Sequence, residues 1–346
     1  MNEQPLINPY HNLTFLDFIL LFFKRLFYFF TGQITIDQLA TDEIQVFVLS
    51  GVALSCALVG TFLILRRVTM LANSLSHTIL IGIVIAYVFF QDGSNVSEKM
   101  EGLASMQSMI IASLIVGFLT AFLTEFLTKV GRLQEDASTG LVFTSLFAIG
   151  VILVTLLTRN SHIGIEAVMG NADALNSGDL FWVYVIFGVN LLVFFIFFKE
   201  YILTTFDSNL ALALGISPIF FSYLLMSQVS VTTITAFRAV GVLLVLAFLT
   251  GPPLIARLCT HHLKILLILA SFFGLFCVLI GVAVTRHVFT VYGVALSTSG
   301  VVVCVITLLY IFVIGMRLIG FQSDRVHVSP NLNTDKKDSF SRLNDG

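Results

Sequence analysis

Apolar residues in this chain come in long blocks, and the polar residues collect in short connections between them. Nine apolar runs stand out, at about 44–65, 69–90, 106–128, 137–157, 180–198, 217–235, 239–256, 264–285 and 293–316. Each is close to the ~20 residues that a helix needs to cross the hydrocarbon core of a bilayer. In lipid a backbone must satisfy its own hydrogen bonds, so runs of this length specify helices. The predicted fold is all-α, a polytopic transmembrane helix bundle of about nine spans at residues 44–316. A further apolar stretch, Leu13 to Phe30, holds Asp17, Lys24 and Arg25. It fits either an amphipathic helix lying in the interface or an irregular crossing. With the polar residues before it, it forms a separate N-terminal region, 1–43. Residues 1–12 are polar without a basic start, which does not predict a cleaved signal peptide. The polar end of the chain, 317–346, is expected to be a disordered tail.

Composition agrees with the pattern. The chain has 346 residues, of which 57% are hydrophobic and 11% charged; a soluble domain carries about 25% charged residues. That much apolar surface does not fit one soluble core, so the surrounding solvent is lipid. A net charge of −2 gives no basic surface for nucleic acid. The four cysteines, Cys56, Cys259, Cys277 and Cys304, form neither a C-x-x-C pair nor a His/Cys cluster. They read as small packing residues.

Charge in the loops sets an orientation. One set of connections holds Arg66, Arg67, Lys129, Arg132, Lys199, Arg257, Lys264 and Arg317; the other holds Lys99, Arg159, Arg238 and Arg286. The richer set is expected to be cytoplasmic, and the C-terminus falls on its side. The opposite connections, 91–105 and 158–179, lean acidic, with Asp92, Glu98, Glu101, Glu166, Asp173 and Asp179. Small-residue pairs at i, i+4, namely Gly51 and Ser55, Gly117 and Ala121, and Gly293 and Ser297, predict close helix packing.

Candidate chemistry is sparse. Asn73 and His77 are four residues apart, on one face of a predicted helix. A neutral imidazole and an amide oxygen make a weak, uncharged donor set, suited to passing a cation along rather than holding it. A helix cap for Asn73 and an inter-helix hydrogen bond for His77 fit the same residues. His162 and Glu166 share this spacing in an acidic outer connection, with Asp173 nearby. They form a second candidate cation site or an ordinary solvated loop face. Pro252 and Pro253 lie near the end of a span, where they are expected to break the helix. No G-x-x-x-x-G-K-[ST] pattern occurs, so any nucleotide would be bound by another subunit.

Four stretches in one order resemble the permease subunits of metal-ion ABC importers, the manganese, zinc and iron type. They are LRRVTMLANSLSHTILIGIVIA at 65–86, QEDASTGLVFTSLFAIGVIL at 134–153, DSNLALALGIS at 207–217 and AVGVLLVLAFLTGPPLIARL at 239–258. Arg66, Arg67, Leu75 and His77 match the first pattern, with Asn73 where the family shows Asp. Glu135, Asp136 and Gly140 match the second. The third is similar to the segment that couples to the ATPase, represented here by Asp207, Ala211 and Gly215. The fourth carries Gly241, Pro252, Ala256 and Arg257, with Gly241, Pro252 and Arg257 as gate or hinge candidates.

The resemblance implies a transport subunit rather than an enzyme, in the bacterial inner membrane. It implies cytoplasmic ATP-binding subunits, a periplasmic or lipid-anchored solute-binding protein and a second permease copy or paralogue. A divalent metal is the expected cargo, with no permanently bound cofactor. Two alternatives remain. A permease for an iron chelate or vitamin has the same architecture. A secondary ion-coupled carrier wants carboxylates at mid-membrane, and the confident spans contain essentially none.

Overall fold

A computed structural model describes residues 9–10, 14–32, 38–66, 81–82, 106–158, 172–173, 175 and 177–326. The long elements are all helices: α1 (Phe15–Phe30), α2 (Thr41–Leu65), α3 (Met106–Val130), α4 (Glu135–Thr158), α5 (Ser177–Ile196), α6 (Phe198–Phe206), α7 (Ser208–Ala213), α8 (Pro218–Val240), α9 (Val242–Cys259), α10 (Leu263–Tyr292) and α11 (Thr298–Val326).

Among the described residues, six helices are long and apolar enough to cross a membrane: α2, α5, α8, α9, α10 and α11. Shorter apolar stretches, Ile115–Thr128 and Ala137–Leu153, lie within α3 and α4. The expected count of nine is therefore not reached among the described residues. The second expected span, 69–90, falls almost wholly outside them. α1 has 16 residues, or ~24 Å at 1.5 Å per residue, short of a straight crossing; its length fits the interfacial alternative. The last span was expected to end at 316, but α11 continues to Val326.

α2 is the centre of the bundle and packs against α5, α8, α9 and α10. Its interior face explains why: Val48, Leu49, Ala53, Cys56, Ala57 and Val59 have no exposed surface. Gly60 makes the tightest approach. A Cβ there would lie 2.1 Å from the Leu249 carbonyl oxygen of α9. That carbonyl is unusual, because the residues three and four ahead of it are Pro252 and Pro253, which carry no N–H. The expected helix break at these prolines does not occur: α9 runs through both to Cys259. Both are buried, and the packing of α2, α10 and α11 on α9 holds the helix across the lost donors.

Gly117 of α3 faces Ser230 of α8, where an added Cβ would come within 2.5 Å. Gly51 likewise faces Val183 of α5. Gly293 corrects the small-residue expectation. It is the left-handed C-cap of α10, with φ +67°, and no heavy atom lies within 4 Å of its Cβ position.

Candidate functional site

Polar contacts gather the helix ends into two groups, one at each end of α2. The first lies at the start of α2. Glu43 is almost fully buried there and accepts hydrogen bonds from the Tyr10 hydroxyl at 2.7 Å and the Ala40 N–H at 2.8 Å. Arg25 of α1 reaches the same carboxylate through Nε and through Nη2, the latter at 3.3 Å. Burial, with the adjoining Glu43 carboxylate, pushes the Tyr10 hydroxyl above its ordinary pKa, which keeps it a donor. Arg286 of α10 adds an ion pair to Asp42 at 3.5 Å and a hydrogen bond to the Tyr10 carbonyl at 3.3 Å. These bonds tie α1 across the ends of α2 and α10.

Beside it sits a second knot. Gln45 Nε2 lies 2.8 Å from the Ala172 carbonyl, 3.1 Å from Asp173 Oδ1 and 3.0 Å from Thr298 Oγ1. Thr298 also donates to Asp173. Asp173, a candidate cation ligand, is thus engaged in joining α2, the approach to α5 and the start of α11.

The second group lies at the far end of α2. Here 207–217 forms a helix and turn whose backbone bonds are fully specified by sequence. Asp207 Oδ1 accepts the Leu210 N–H at 2.9 Å and caps α7. At the other end, Gly215 N–H bonds Leu212 O at 3.0 Å and Ile216 N–H bonds Ala211 O at 2.9 Å. That pair is a Schellman turn. It requires the left-handed residue that Gly215 supplies at φ +78°. Ser217 then caps α8 and Pro218 takes its first position. Ala211 is buried against the body, whereas Leu210, Leu212 and Leu214 are 47%, 61% and 64% exposed.

Arg66, just past α2, sits at this same end. Its Nη2 donates to Thr204 Oγ1 at 2.8 Å and its Nε to Thr205 Oγ1 at 3.1 Å, both on α6. Burial pushes its guanidinium pKa down from the ordinary value. One turn earlier on α6, Tyr201 is fully buried among Phe62, Phe194 and Phe221. Its hydroxyl donates to Gln228 Oε1 of α8 at 2.5 Å, and Asn190 of α5 donates to Thr232 of α8 at 2.6 Å.

Of the predicted site residues, Asn73, His77, His162 and Glu166 lie outside the described residues, as do Arg67 and Leu75. Asp207, Ala211 and Gly215 come together as one turn. Gly241, at φ +88°, ends α8 and begins α9, well along the helix from buried Pro252. Arg257 is exposed in the last turn of α9, where a cation complements the helix C-terminus. Among the described residues no group of three His, Cys, Asp or Glu side chains could hold a metal. Sequence reasoning missed Glu43, Gln45, Asn190 and Gln228. For Gln45, Asn190 and Gln228 the signal was available: a polar residue inside an apolar run is costly in lipid and calls for a partner.

This arrangement is a membrane bundle with described helix ends tied together by polar bonds at one end and a preformed apolar turn at the other. Residues 43–317 match the ABC 3 transport family, and the chain belongs to that family. It is 40% identical over 305 residues to a probable metal transport system membrane protein of Chlamydia muridarum, covering 88% of this chain and 93% of that one. It is 36% identical to the manganese transport system membrane protein MntD of Bacillus subtilis, covering 64% of this chain and 76% of that one. The fold is similar to PsaBC from Streptococcus pneumoniae, solved in complex with Fab. That match has a TM-score of 0.64 at 24% identity and covers 85% of this chain and 95% of that one.

Proposed function

We propose that the chain is the permease subunit of an ATP-driven importer that carries a divalent metal ion, manganese, zinc or iron, across the bacterial inner membrane by alternating access. The observation that carries this reading is the segment 207–217. A capped helix and Schellman turn hold three leucines out of the bundle, as a docking element requires. The chain has no phosphate-binding loop of its own, so the partner at this turn is a cytoplasmic ATP-binding subunit. The Arg66 end is then cytoplasmic, in line with the distribution of Lys and Arg in the loops. The C-terminus shares that side. A periplasmic or lipid-anchored solute-binding protein delivers the ion to the Glu43 end, and a second permease copy or paralogue completes the pathway. The likeness to metal and manganese transport proteins of Chlamydia and Bacillus supports a metal cargo.

Within this reading His77 and Asn73 are transient, uncharged donors on the ion path. His162 and Glu166 form a weak outer site. Asp173 sits at the same mouth with its carboxylate engaged by Thr298 and Gln45. Gly241 is the reversal between α8 and α9, and Pro252 and Arg257 mark the helix that follows it.

The test is co-purification with the ATP-binding subunits, reconstitution in lipid, and metal uptake with free Mn²⁺, Zn²⁺ or Fe²⁺ offered against an iron chelate. Uptake of a free ion that the chelate does not compete with supports the proposal. Uptake of the chelate alone would transfer it to the chelate alternative.

A further inference from the structure

Helix α6 stands between the exposed turn and the bundle core. A single residue, Asp207, separates it from α7, and Asp207 also caps α7. On its other side α6 is fastened at two places. Arg66 places two donors on Thr204 and Thr205, at 2.8 and 3.1 Å, which ties α6 to the end of α2. Tyr201 places its hydroxyl on Gln228, at 2.5 Å, which ties α6 to the middle of α8. The two fastenings lie within one turn of each other.

The chemistry of the first is telling. The described partners of this half-buried guanidinium are two hydroxyls. Each hydroxyl takes one N–H of the guanidinium's fixed fork, without the deep well of an ion pair. Two points of attachment fix α6 against the end of α2, so the two move as one. The second link sits in a rigid aromatic setting: the Tyr201 ring centroid is 4.9 Å from that of Phe194, 5.4 Å from Phe62 and 5.5 Å from Phe221. Beyond Arg66 the chain leads within seven residues to Asn73.

We propose that α6 transmits movement of the α7 turn to α2 and α8, and that Arg66 and Tyr201 are the positioning residues that make this transmission stiff. The proposal rests on the reading of 207–217 as the ATPase-coupling segment. Loosening either link lets α7 move without the bundle, so ATP is hydrolysed while less metal crosses. A purely structural role for these residues lowers hydrolysis and uptake together.

The experiment uses the full complex of permease, ATP-binding subunits and solute-binding protein in liposomes. Metal moved per ATP hydrolysed is measured with whichever free ion the unaltered complex transports. The variant carrying Thr204→Val and Thr205→Val removes both acceptors for Arg66 while keeping the β-branched shape. The expected result is hydrolysis within about twofold of the unaltered complex and metal per ATP reduced about tenfold, the scale of losing hydrogen bonds to a charged group. Thr204→Ser with Thr205→Ser restores the hydroxyls and the ratio. Tyr201→Phe keeps the ring and removes one oxygen, and reads the same ratio should the valine pair not assemble; a fall of about threefold is expected. An unchanged ratio in the assembled valine variant, or in Tyr201→Phe, overturns the inference. So does a parallel loss of hydrolysis and uptake. Failure of the unaltered complex to couple metal uptake to ATP overturns the underlying permease reading instead.

Discussion

The two ends of α2 solve opposite problems. At the Glu43 end, a buried carboxylate collects a guanidinium, a phenol and a backbone N–H, and Gln45, Asp173 and Thr298 close a second ring of bonds beside it. At the Arg66 end the backbone is equally well specified, but three apolar side chains stay outside the bundle: Leu210, Leu212 and Leu214 are exposed on a turn held by Asp207 and Gly215. The first end spends its polar groups on itself. The second fastens α6 to the bundle through Arg66 and Tyr201 and leaves the apolar surface of the α7 turn free. That contrast separates a part that holds the helices together from a part that, on the proposed function, is pushed by a partner.

Changes at the two ends should therefore have different signatures. The largest effect is expected from Leu210→Asp with Leu214→Asp, two residues one turn apart. Each leucine buried in a partner is worth about 1.5–3 kcal/mol, so affinity for the ATP-binding subunits should fall a hundredfold or more. The melting temperature of the isolated permease should stay unchanged, and a pull-down titration beside a thermal melt checks both. Glu43→Ala should do the reverse. It strands Arg25 and removes an acceptor for Tyr10, at a cost of about 3 kcal/mol. The melt should fall by several degrees while subunit affinity is retained.

Gly215→Val forces a β-branched residue into the left-handed region, which costs about 1–2 kcal/mol. Open space around the Cβ position leaves the bundle unaffected, so the loss should appear in uptake per ATP and not in the melt. The smallest effect is expected for Asp173→Asn. The amide oxygen can still accept from Thr298 and Gln45, so stability should change by about 1 kcal/mol or less. A large drop in metal uptake from this variant alone would instead mark Asp173 as a ligand on the path.

The sequence made the helices legible because lipid imposes one rule on every span. The expected run at 264–285 lies inside α10, and the run at 44–65 lies inside α2. The turn at 207–217 also follows local rules, since Asp207, Gly215, Ser217 and Pro218 each have a backbone duty. What hydrophobicity does not reveal is rotation and partnership. Gln45 meets Thr298 across 253 residues, and Arg66 meets Thr204 across 138. No periodicity of a single segment encodes such pairs. The separation of α6 from α5 was likewise invisible, because the break at Phe197 falls inside a continuous apolar run. The persistence of α9 through two prolines shows the same limit from the other side. The local rule predicts a break, and packing from α2, α10 and α11 overrides it.

The central claim is that this bundle moves its cargo only when a separate ATP-hydrolysing subunit works on the α7 turn. The direct measurement is metal uptake into liposomes containing the permease with its ATP-binding subunits, compared with liposomes containing the permease alone under an imposed proton or sodium gradient. The account predicts ATP-dependent uptake in the first and none in the second. Gradient-driven uptake by the permease alone would contradict it.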